Sequence, residues 1–281
     1  MITPSASTLG APGTPLPVVL RWLKDVQFPG IELRLAPGEA ADPNLDRQAR
    51  EALRKAIEAA GIKVTSIASY VQVAAAGKDE TVIRELIQAL DFGRDLGAPM
   101  VRVFPGAETA PAPFNTAPAL LEPADVVDER AARRLTSVSA YGDVVGVMPV
   151  LETHDSHPTG ADIARILARV QGTVGVVWDL LHPWRVGEAL EDTWKSLRPW
   201  FSTGRGTVQV KDAALPESTP ELLGGGNLPL NDFAELLINE KYQGTVTLEW
   251  EKAWYPQVPQ LDLALKSTRT WLDLHWRGEE K

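Results

Sequence analysis

The alternation of short apolar runs with longer helical segments restricts the fold of this chain more than any other feature. Eight runs rich in β-branched residues have the length of strands, and segments with helical spacing separate most of them. This order is typical of successive βαβ units, in which the strands form a parallel sheet. The predicted strands lie within residues 2–8, 30–35, 63–74, 100–104, 148–154, 174–180, 207–211 and 245–251.

Helical spacing predicts six helices, at residues 45–60, 80–96, 125–141, 160–170, 229–239 and 260–276. Gly61 and Gly97 follow the first two, and glycine after a helix adopts the left-handed conformation that ends it. Eight strands with right-handed crossovers favour a closed (β/α)₈ TIM barrel, and 281 residues suit one barrel domain over residues 1–281. An open doubly wound sheet is the alternative, but no glycine-rich dinucleotide motif follows the first strand.

One long connection interrupts the regular order of strands and helices. Residues 107–124 contain four prolines and follow the fourth predicted strand. A βα connection of this length is either a lid over a functional site or an excursion of the surface. The sequence favours neither.

Composition excludes several classes of function. The chain has no cysteine, which removes disulfide frameworks, thiolate metal sites and cysteine nucleophiles. The net charge is −9, and the basic residues do not cluster, which argues against a nucleic-acid partner. Residues 1–13 lack the pattern of a signal peptide, and no run of apolar residues is long enough to span a membrane. We therefore expect a cytoplasmic protein with a small-molecule substrate; a homo-oligomer is compatible with these features.

Polar residues end four consecutive predicted strands. Glu152 follows the apolar residues of the fifth strand, and Asp179 follows those of the sixth. Gln209 and Lys211 lie in the seventh strand, and Glu249 lies near the end of the eighth. Catalytic groups of TIM barrels come from the carboxyl ends of the strands, so these side chains are candidates for a site.

Grouped carboxylates repel one another unless a cation lies among them. A divalent metal ion would remove that cost, and oxygen and imidazole ligands suit Mn²⁺, Mg²⁺ or Co²⁺, with Zn²⁺ as an alternative. Taken singly, each residue also has a structural interpretation: Asp179 could cap a helix, and Glu249 could pair with Lys211. The occurrence of such residues on four strands together favours a site.

Several motifs resemble the sugar phosphate isomerase/epimerase family, which is also called xylose isomerase-like. They are GIELR (30–34), LETHD (151–155), WDLLH (178–182), VQVKDA (208–213), GGGNLP (224–229) and TLEWEKAW (247–254). The resemblance implies a TIM barrel with one divalent ion held by Glu152, Asp179, Gln209 and Glu249. Because Gln209 stands where the family has histidine, the expected ion shifts toward Mg²⁺ or Mn²⁺.

The resemblance also implies a metal-dependent isomerase or epimerase that acts on a small sugar or related hydroxy-carbonyl compound through an enediolate. Glu152 and Glu249 would carry the proton. The residues expected to bind the substrate are His182, Lys211, His154, Arg34 and Trp250. Pro158 and Leu215 replace the acidic residue and the arginine of the ketose 3-epimerases, which argues against epimerisation of free ketoses.

Three other functions remain as alternatives. A dehydratase could use the same scaffold to remove water from a keto-polyol after the same proton abstraction. A barrel that has lost catalysis could still bind a sugar, and Gln209 keeps this alternative open. The endonuclease branch of the superfamily has a histidine-rich site with three metal ions, which the four histidines and the acidic charge of this chain do not favour.

Overall fold

A computed structural model describes residues 1–276, in which eight parallel strands close into a barrel. The barrel order is β1-β10-β7-β6-β5-β4-β3-β2. The fold predicted from the sequence is confirmed, and the open doubly wound sheet is wrong. The barrel strands are β1 (Thr3–Ser7), β2 (Gly30–Arg34), β3 (Lys63–Gln72), β4 (Met100–Phe104), β5 (Met148–Glu152), β6 (Gly175–Asp179), β7 (Gly206–Val210) and β10 (Thr245–Leu248). A two-stranded sheet of β8 (Asp212–Ala214) and β9 (Thr219–Glu221) follows β7.

Helices connect the barrel strands and cover their outer faces. They are α1 (Leu16–Asp25), α2 (Arg47–Ala59), α3 (Asp79–Leu96), α4 (Ala124–Val145), α5 (Gly160–Leu167), α6 (Leu181–Arg185), α7 (Leu190–Phe201), α8 (Leu230–Asn239) and α9 (Leu261–Trp276), with a short 3₁₀ turn at Thr8–Gly10. Within the described residues, no helix is long and apolar enough to cross a membrane.

The sequence did not predict α1 and α7. The β-branched pair Val18 and Val19 lies inside α1, and Pro199 lies inside α7. These residues lower helix propensity, but packing against the barrel determines the local structure. Leu20 and Leu23 of α1 and Leu197 of α7 are buried.

The fifth and the eighth predicted strands end two and three residues earlier than predicted, at the point where the chain leaves the barrel. β5 ends at Glu152 because the next residues form a turn, in which the His154 N–H donates to the His157 carbonyl (3.2 Å). β10 ends at Leu248, directly before Glu249. Glu152 and Glu249 therefore lie at the carboxyl rim of the barrel.

The long connection at residues 107–124 forms an ordered hairpin. Thr109 and Leu120 form an antiparallel bridge, and the Ala110 N–H donates to the Ala119 carbonyl (2.8 Å). Phe114 lies in the turn that joins these two arms, and its side chain is exposed. The hairpin thus presents an aromatic ring at its far end.

The loop after β5 anchors the beginning of this hairpin. A carboxylate oxygen of Asp155 accepts the Gly106 N–H (2.9 Å), and the Ser156 hydroxyl accepts the Ala107 N–H (3.0 Å). Burial alone would raise the pKa of Asp155, but His154 and the backbone N–H groups of Gly106 and Ser156 together lower it to about 2. Ionised Asp155 therefore stabilises the folded chain.

We expect Asp155→Asn to lower the free energy of unfolding by about 2 kcal/mol at pH 6, from the difference between the ordinary and the lowered pKa. A carboxyl group whose pKa is lower in the folded state than in the unfolded state stabilises the protein at pH values above its ordinary pKa. This stabilisation is lost as the pH falls toward the pKa of the folded state. The difference between the wild type and the variant should accordingly shrink to about 1 kcal/mol at pH 3. Urea unfolding of both proteins at both pH values measures this difference in unfolding free energy.

Asp143→Asn, at an exposed position of α4, is the matched control and should leave the unfolding free energy nearly unchanged. A difference for Asp155→Asn that is equally large at pH 3 and pH 6 would contradict a stabilising role of the ionised carboxylate.

Candidate functional site

A cluster of buried charged side chains fills the carboxyl end of the barrel. Alternate residues of a strand point to opposite faces, so the inward set from neighbouring parallel strands converges. In β6 and β7, Asp179 is the direct register partner of Gln209. The carboxylates of the cluster are Glu32, Glu152, Asp179, Glu249 and Glu251, and its cations are Arg102 and Lys211.

Lys211 neutralises one side of this cluster. Its Nζ lies 2.9 Å from Oδ2 of Asp179 and 2.6 Å from Oε1 of Glu251, and it also forms an ion pair with Glu249. The ammonium is almost completely buried, which would lower the pKa of Lys211, but the three carboxylates hold this pKa well above its usual range. Lys211 is therefore charged and is shared among three acidic groups.

Arg102 lies beside the opposite carboxylate. Its Nε is 3.1 Å from Oε2 of Glu152, and its NH1 donates to the Ser69 carbonyl (3.0 Å). The ring of Phe104 lies 3.9 Å from the guanidinium carbon and holds the group from one face. Burial raises the pKa of Glu152 well above its usual range; Arg102 opposes this shift, while Glu249 and Asp179 add to it. The positive charge near Glu152 is thus too small to keep it readily ionised.

Gln209 connects two further carboxylates. Its Nε2 lies 3.3 Å from Oε1 of Glu32 and 3.4 Å from Oε1 of Glu249. Its Oε1 is buried and has no hydrogen-bond partner among the described residues. Because the amide nitrogen points toward two carboxylates, the carbonyl oxygen is left to bind a cation or to accept a hydrogen bond.

Sequence reasoning missed Glu32 and Arg102 as members of the cluster. Burial raises the pKa of Glu32, and Arg102 opposes the shift. The signal was present in both strands, because each residue is a charged side chain between two apolar residues, in GIELR and MVRVF. A charge in a buried strand requires a partner, so both residues could have been identified as inward-facing.

Two histidines lie on the next layer toward the mouth of the barrel. His182 Nε2 is 3.9 Å from Oδ2 of Asp179 and 4.0 Å from Oε1 of Glu152. The ring of His154 stands edge-on to His182, with 4.4 Å between centroids, and its other neighbour is Phe104 at 4.1 Å. Burial lowers the pKa of His182 well below its usual range, and the charges of His154 and Arg185 lower it further. His182 is therefore a neutral imidazole.

The remaining predicted substrate residues divide between the mouth and the core. Arg34 lies at the mouth, where it pairs with Glu39 (2.7 Å), donates to the Tyr70 hydroxyl (2.8 Å) and faces the ring of Trp254 at 4.7 Å. Trp250 does not line the cluster, which corrects the expectation drawn from the sequence. It follows the inward Glu249, so it points outward into the layer beneath the helices, and its Nε1 donates to the Pro259 carbonyl (2.9 Å).

The site contains two groups of side chains that could hold a metal ion. Ligand atoms of Glu152, Asp179 and Glu249 lie within 4.8 Å of one another, and so do those of Glu152, His154 and His182. Oε1 of Glu152 and Nε2 of His182 are buried without a hydrogen bond among the described residues. Oε2 of Glu152 and Oδ2 of Asp179 are also buried, and they lie beside Arg102 and Lys211, respectively. Buried polar atoms normally have partners, so this set of donor atoms fits a cation.

The charge of the cluster leads to the same conclusion. With all five carboxylates ionised, the two cations would leave three negative charges in a site that is mostly buried. Repulsion among them is strong where water is excluded. A divalent cation would reduce the imbalance to one charge, and the carboxylate oxygens that converge here are positioned to bind it.

Solved structures share the fold at low sequence identity. The IolI protein with a bound zinc atom has a TM-score of 0.78 and 16% identity, over 98% of this chain and 99% of that chain. The apo form of 3-keto-D-glucoside 4-epimerase YcjR from E. coli has a TM-score of 0.73 and 18% identity, over 96% and 99%. The probable 3-DHS dehydratase AsbF from Bacillus anthracis has a TM-score of 0.74 and 15% identity, over 96% and 98%. At these identities the similarity establishes the fold alone.

The sequence was also compared with curated proteins and with family profiles. No curated protein matches it. The profile of the family described as xylose isomerase-like TIM barrel matches residues 20–273, which include all barrel strands except β1. The resemblance drawn from the short motifs is confirmed, and the chain belongs to the xylose isomerase-like TIM barrel family.

Proposed function

We propose that this protein is a metal-dependent isomerase or epimerase of a small sugar or related hydroxy-carbonyl compound. One observation carries the proposal: the carboxylates of Glu152, Asp179 and Glu249 converge within 4.8 Å at the carboxyl end of the barrel. TIM-barrel enzymes place their reacting groups at this end. The reaction would transfer a proton at a carbon next to a carbonyl group and pass through an enediolate.

The residues that would hold the ion are Glu152, Asp179, Gln209 and Glu249. All four offer oxygen atoms, which are the preferred ligands of Mg²⁺ and Mn²⁺, whereas Co²⁺ and Zn²⁺ more often take nitrogen ligands. When bound, a divalent cation supplies positive charge to the oxygen atoms of the substrate. Lys211 can retain Glu251 as its partner while Asp179 and Glu249 bind the ion.

Glu152 and Glu249 are the proposed proton carriers. A general base works best when its pKa lies near the working pH. The raised pKa of Glu152, caused mainly by burial, brings this carboxylate closer to that condition. Glu249 enters the site from β10, at a different point of the barrel wall, so the two carboxylates can address different sides of one carbon atom. Such an arrangement suits an epimerase, which removes a proton on one face and returns one on the other.

The substrate oxygens would be held by groups that the cluster already orients. His182 is neutral and buried, so it can donate a hydrogen bond without adding charge. Lys211 is charged and can stabilise an oxygen on which negative charge develops. His154 and Arg34 lie nearer the mouth and would contact the more distant part of the substrate.

A dehydratase is the second candidate, because the raised pKa of Glu152 lets its carboxyl group hold a proton that it can give to a departing hydroxyl group. Glu249 could remove the proton from carbon, and neutral His182, whose Nε2 lies 4.0 Å from Glu152, could donate a hydrogen bond to the departing group. Analysis of the product separates the two reactions: the isomerase product has the mass of the substrate, and the dehydratase product is lighter by one water.

We expect the protein, supplied with Mn²⁺ or Mg²⁺, to incorporate solvent deuterium at the carbon next to the carbonyl of a substrate. Mass spectrometry of a panel of ketoses, inososes and their acidic derivatives in D₂O measures the exchange. Glu152→Gln keeps the shape of the side chain but removes the base, so exchange should fall by about 100-fold or more.

Glu85→Gln, on the exposed face of α3, is the matched control and should exchange at the wild-type rate. The proposal is wrong if no compound in the panel exchanges with any added metal, or if Glu152→Gln exchanges as fast as the wild type.

Gln209 should determine which ion the protein prefers. Replacement by histidine substitutes an imidazole nitrogen for an amide oxygen, which favours Zn²⁺ over Mn²⁺. We expect Gln209→His to raise the ratio of bound Zn²⁺ to bound Mn²⁺ by about tenfold after dialysis against equal concentrations of both ions. Elemental analysis of the dialysed protein gives this ratio.

Gln48→His, at an exposed position of α2, controls for the added histidine alone and should keep the wild-type ratio. An unchanged ratio for Gln209→His would show that the side chain at position 209 does not contact the ion.

A further inference from the structure

Arg185 is a half-buried arginine at the mouth of the barrel with no ion-pair partner. It ends α6, three residues after His182. Its Nε is buried and makes no hydrogen bond within residues 1–276, and no carboxylate of that range lies within 4 Å of its guanidinium nitrogens. A guanidinium is always charged and is costly to bury without a partner.

The electrostatic neighbours of Arg185 show that it lies near the carboxylate cluster. Burial lowers the pKa of Arg185, whereas the more distant charges of Asp179, Glu251 and Asp155 raise it. Its own charge contributes to the lowered pKa of His182. Arg185 is thus close enough to influence the site but does not contact its carboxylates.

The two other arginines of the site already have carboxylate partners. Arg34 contacts Glu39 at 2.7 Å, and Arg102 Nε lies 3.1 Å from Glu152. Arg185 is therefore the guanidinium of this region whose fork of N–H donors is left for a ligand.

The hairpin at residues 107–124 supports this group from one face. The ring of Phe114 lies 5.4 Å from the guanidinium carbon of Arg185. A ring over the face of a guanidinium attracts the cation and leaves its N–H edge free. Such an edge matches a carboxylate or phosphate group, which accepts two parallel hydrogen bonds.

We infer that Arg185 binds an anionic group of the substrate, a carboxylate or a phosphate, at the end of the molecule that lies away from the reacting carbons. The inference rests on the proposed function in naming the ligand as the substrate. It deepens that function by assigning the substrate class: an acidic sugar or hydroxy-carbonyl acid, or a phosphorylated one, rather than a neutral ketose.

The charge of the cluster sets the orientation of such a substrate. The carboxylates around Glu152 and Glu249 repel an anion, so the acidic end cannot lie among them. Arg185 offers the compensating charge on the rim, three residues after His182 in the chain. The anionic end therefore contacts Arg185 and Phe114, and the carbonyl end reaches inward to the carboxylates.

Binding of small probes tests the inference without any turnover. Wild-type protein is titrated calorimetrically with D-glycerate, with inorganic phosphate and with neutral glycerol, both with Mg²⁺ and after removal of metal by a chelator. We expect saturable binding of at least one anion in the millimolar range and weaker binding of glycerol. Tighter binding of D-glycerate indicates a carboxylate, and tighter binding of phosphate indicates a phosphorylated substrate.

Variants of Arg185 identify the residue responsible. Arg185→Met should weaken binding of the preferred anion by about tenfold or more, since a charge-assisted hydrogen-bonded pair is lost, and leave glycerol unaffected. Arg185→Lys keeps the charge without the paired N–H donors, so its affinity for the anion should lie between those of the wild type and Arg185→Met. Arg84→Met, at an exposed position of α3, should bind as the wild type does.

The inference is overturned if wild-type protein binds neither anion saturably, or if Arg185→Met, shown to be folded by circular dichroism, binds the anion as tightly as the wild type. Glu152→Gln separates this result from the proposed function. That variant should lose proton exchange but retain anion binding, so either claim can fail while the other stands.

Discussion

Closure of the barrel brings the inward side chains of neighbouring parallel strands together, and at the carboxyl end of this barrel five of these side chains are acidic. Asp179 lies opposite Gln209 in the register, and Glu152 and Glu249 extend the same rim on either side. Five carboxylates therefore share a region from which most water is excluded, with two cations beside them. Repulsion under these conditions favours proton uptake or cation binding. Burial is the main cause of the raised pKa values of Glu32 and Glu152, and the charge of Glu249 adds to both.

The two cations of the cluster differ in how firmly their positions are fixed. Arg102 is fixed by the Ser69 carbonyl and the ring of Phe104, so it remains beside Glu152. Lys211 is shared by three carboxylates, of which Glu251 is more peripheral than Asp179 and Glu249. A flexible ammonium that contacts several acids can yield two of them to a metal ion and keep the third. The position of Glu251 therefore makes Lys211 compatible with an occupied metal site.

Much of this arrangement could be predicted from the sequence, because it depends on local patterns. The barrel followed from the repeated strand and helix signals, and the positions of Glu152, Asp179 and Glu249 followed from apolar runs that end in an acid. The less predictable features depend on contacts between distant residues. Glu32 reaches Gln209 across 177 positions of the chain, and no local pattern indicates that contact. Trp250 was misplaced because a motif match ignored the alternation that turns it away from Glu249.

The central claim is that a divalent cation belongs among Glu152, Asp179 and Glu249. Anomalous diffraction from crystals soaked in Mn²⁺, collected at the manganese absorption edge, tests it most directly. The account predicts one strong peak within coordination distance of these three carboxylates, with Lys211 still beside Glu251. No peak at this end of the barrel, with Lys211 still contacting Asp179 and Glu249, would contradict it.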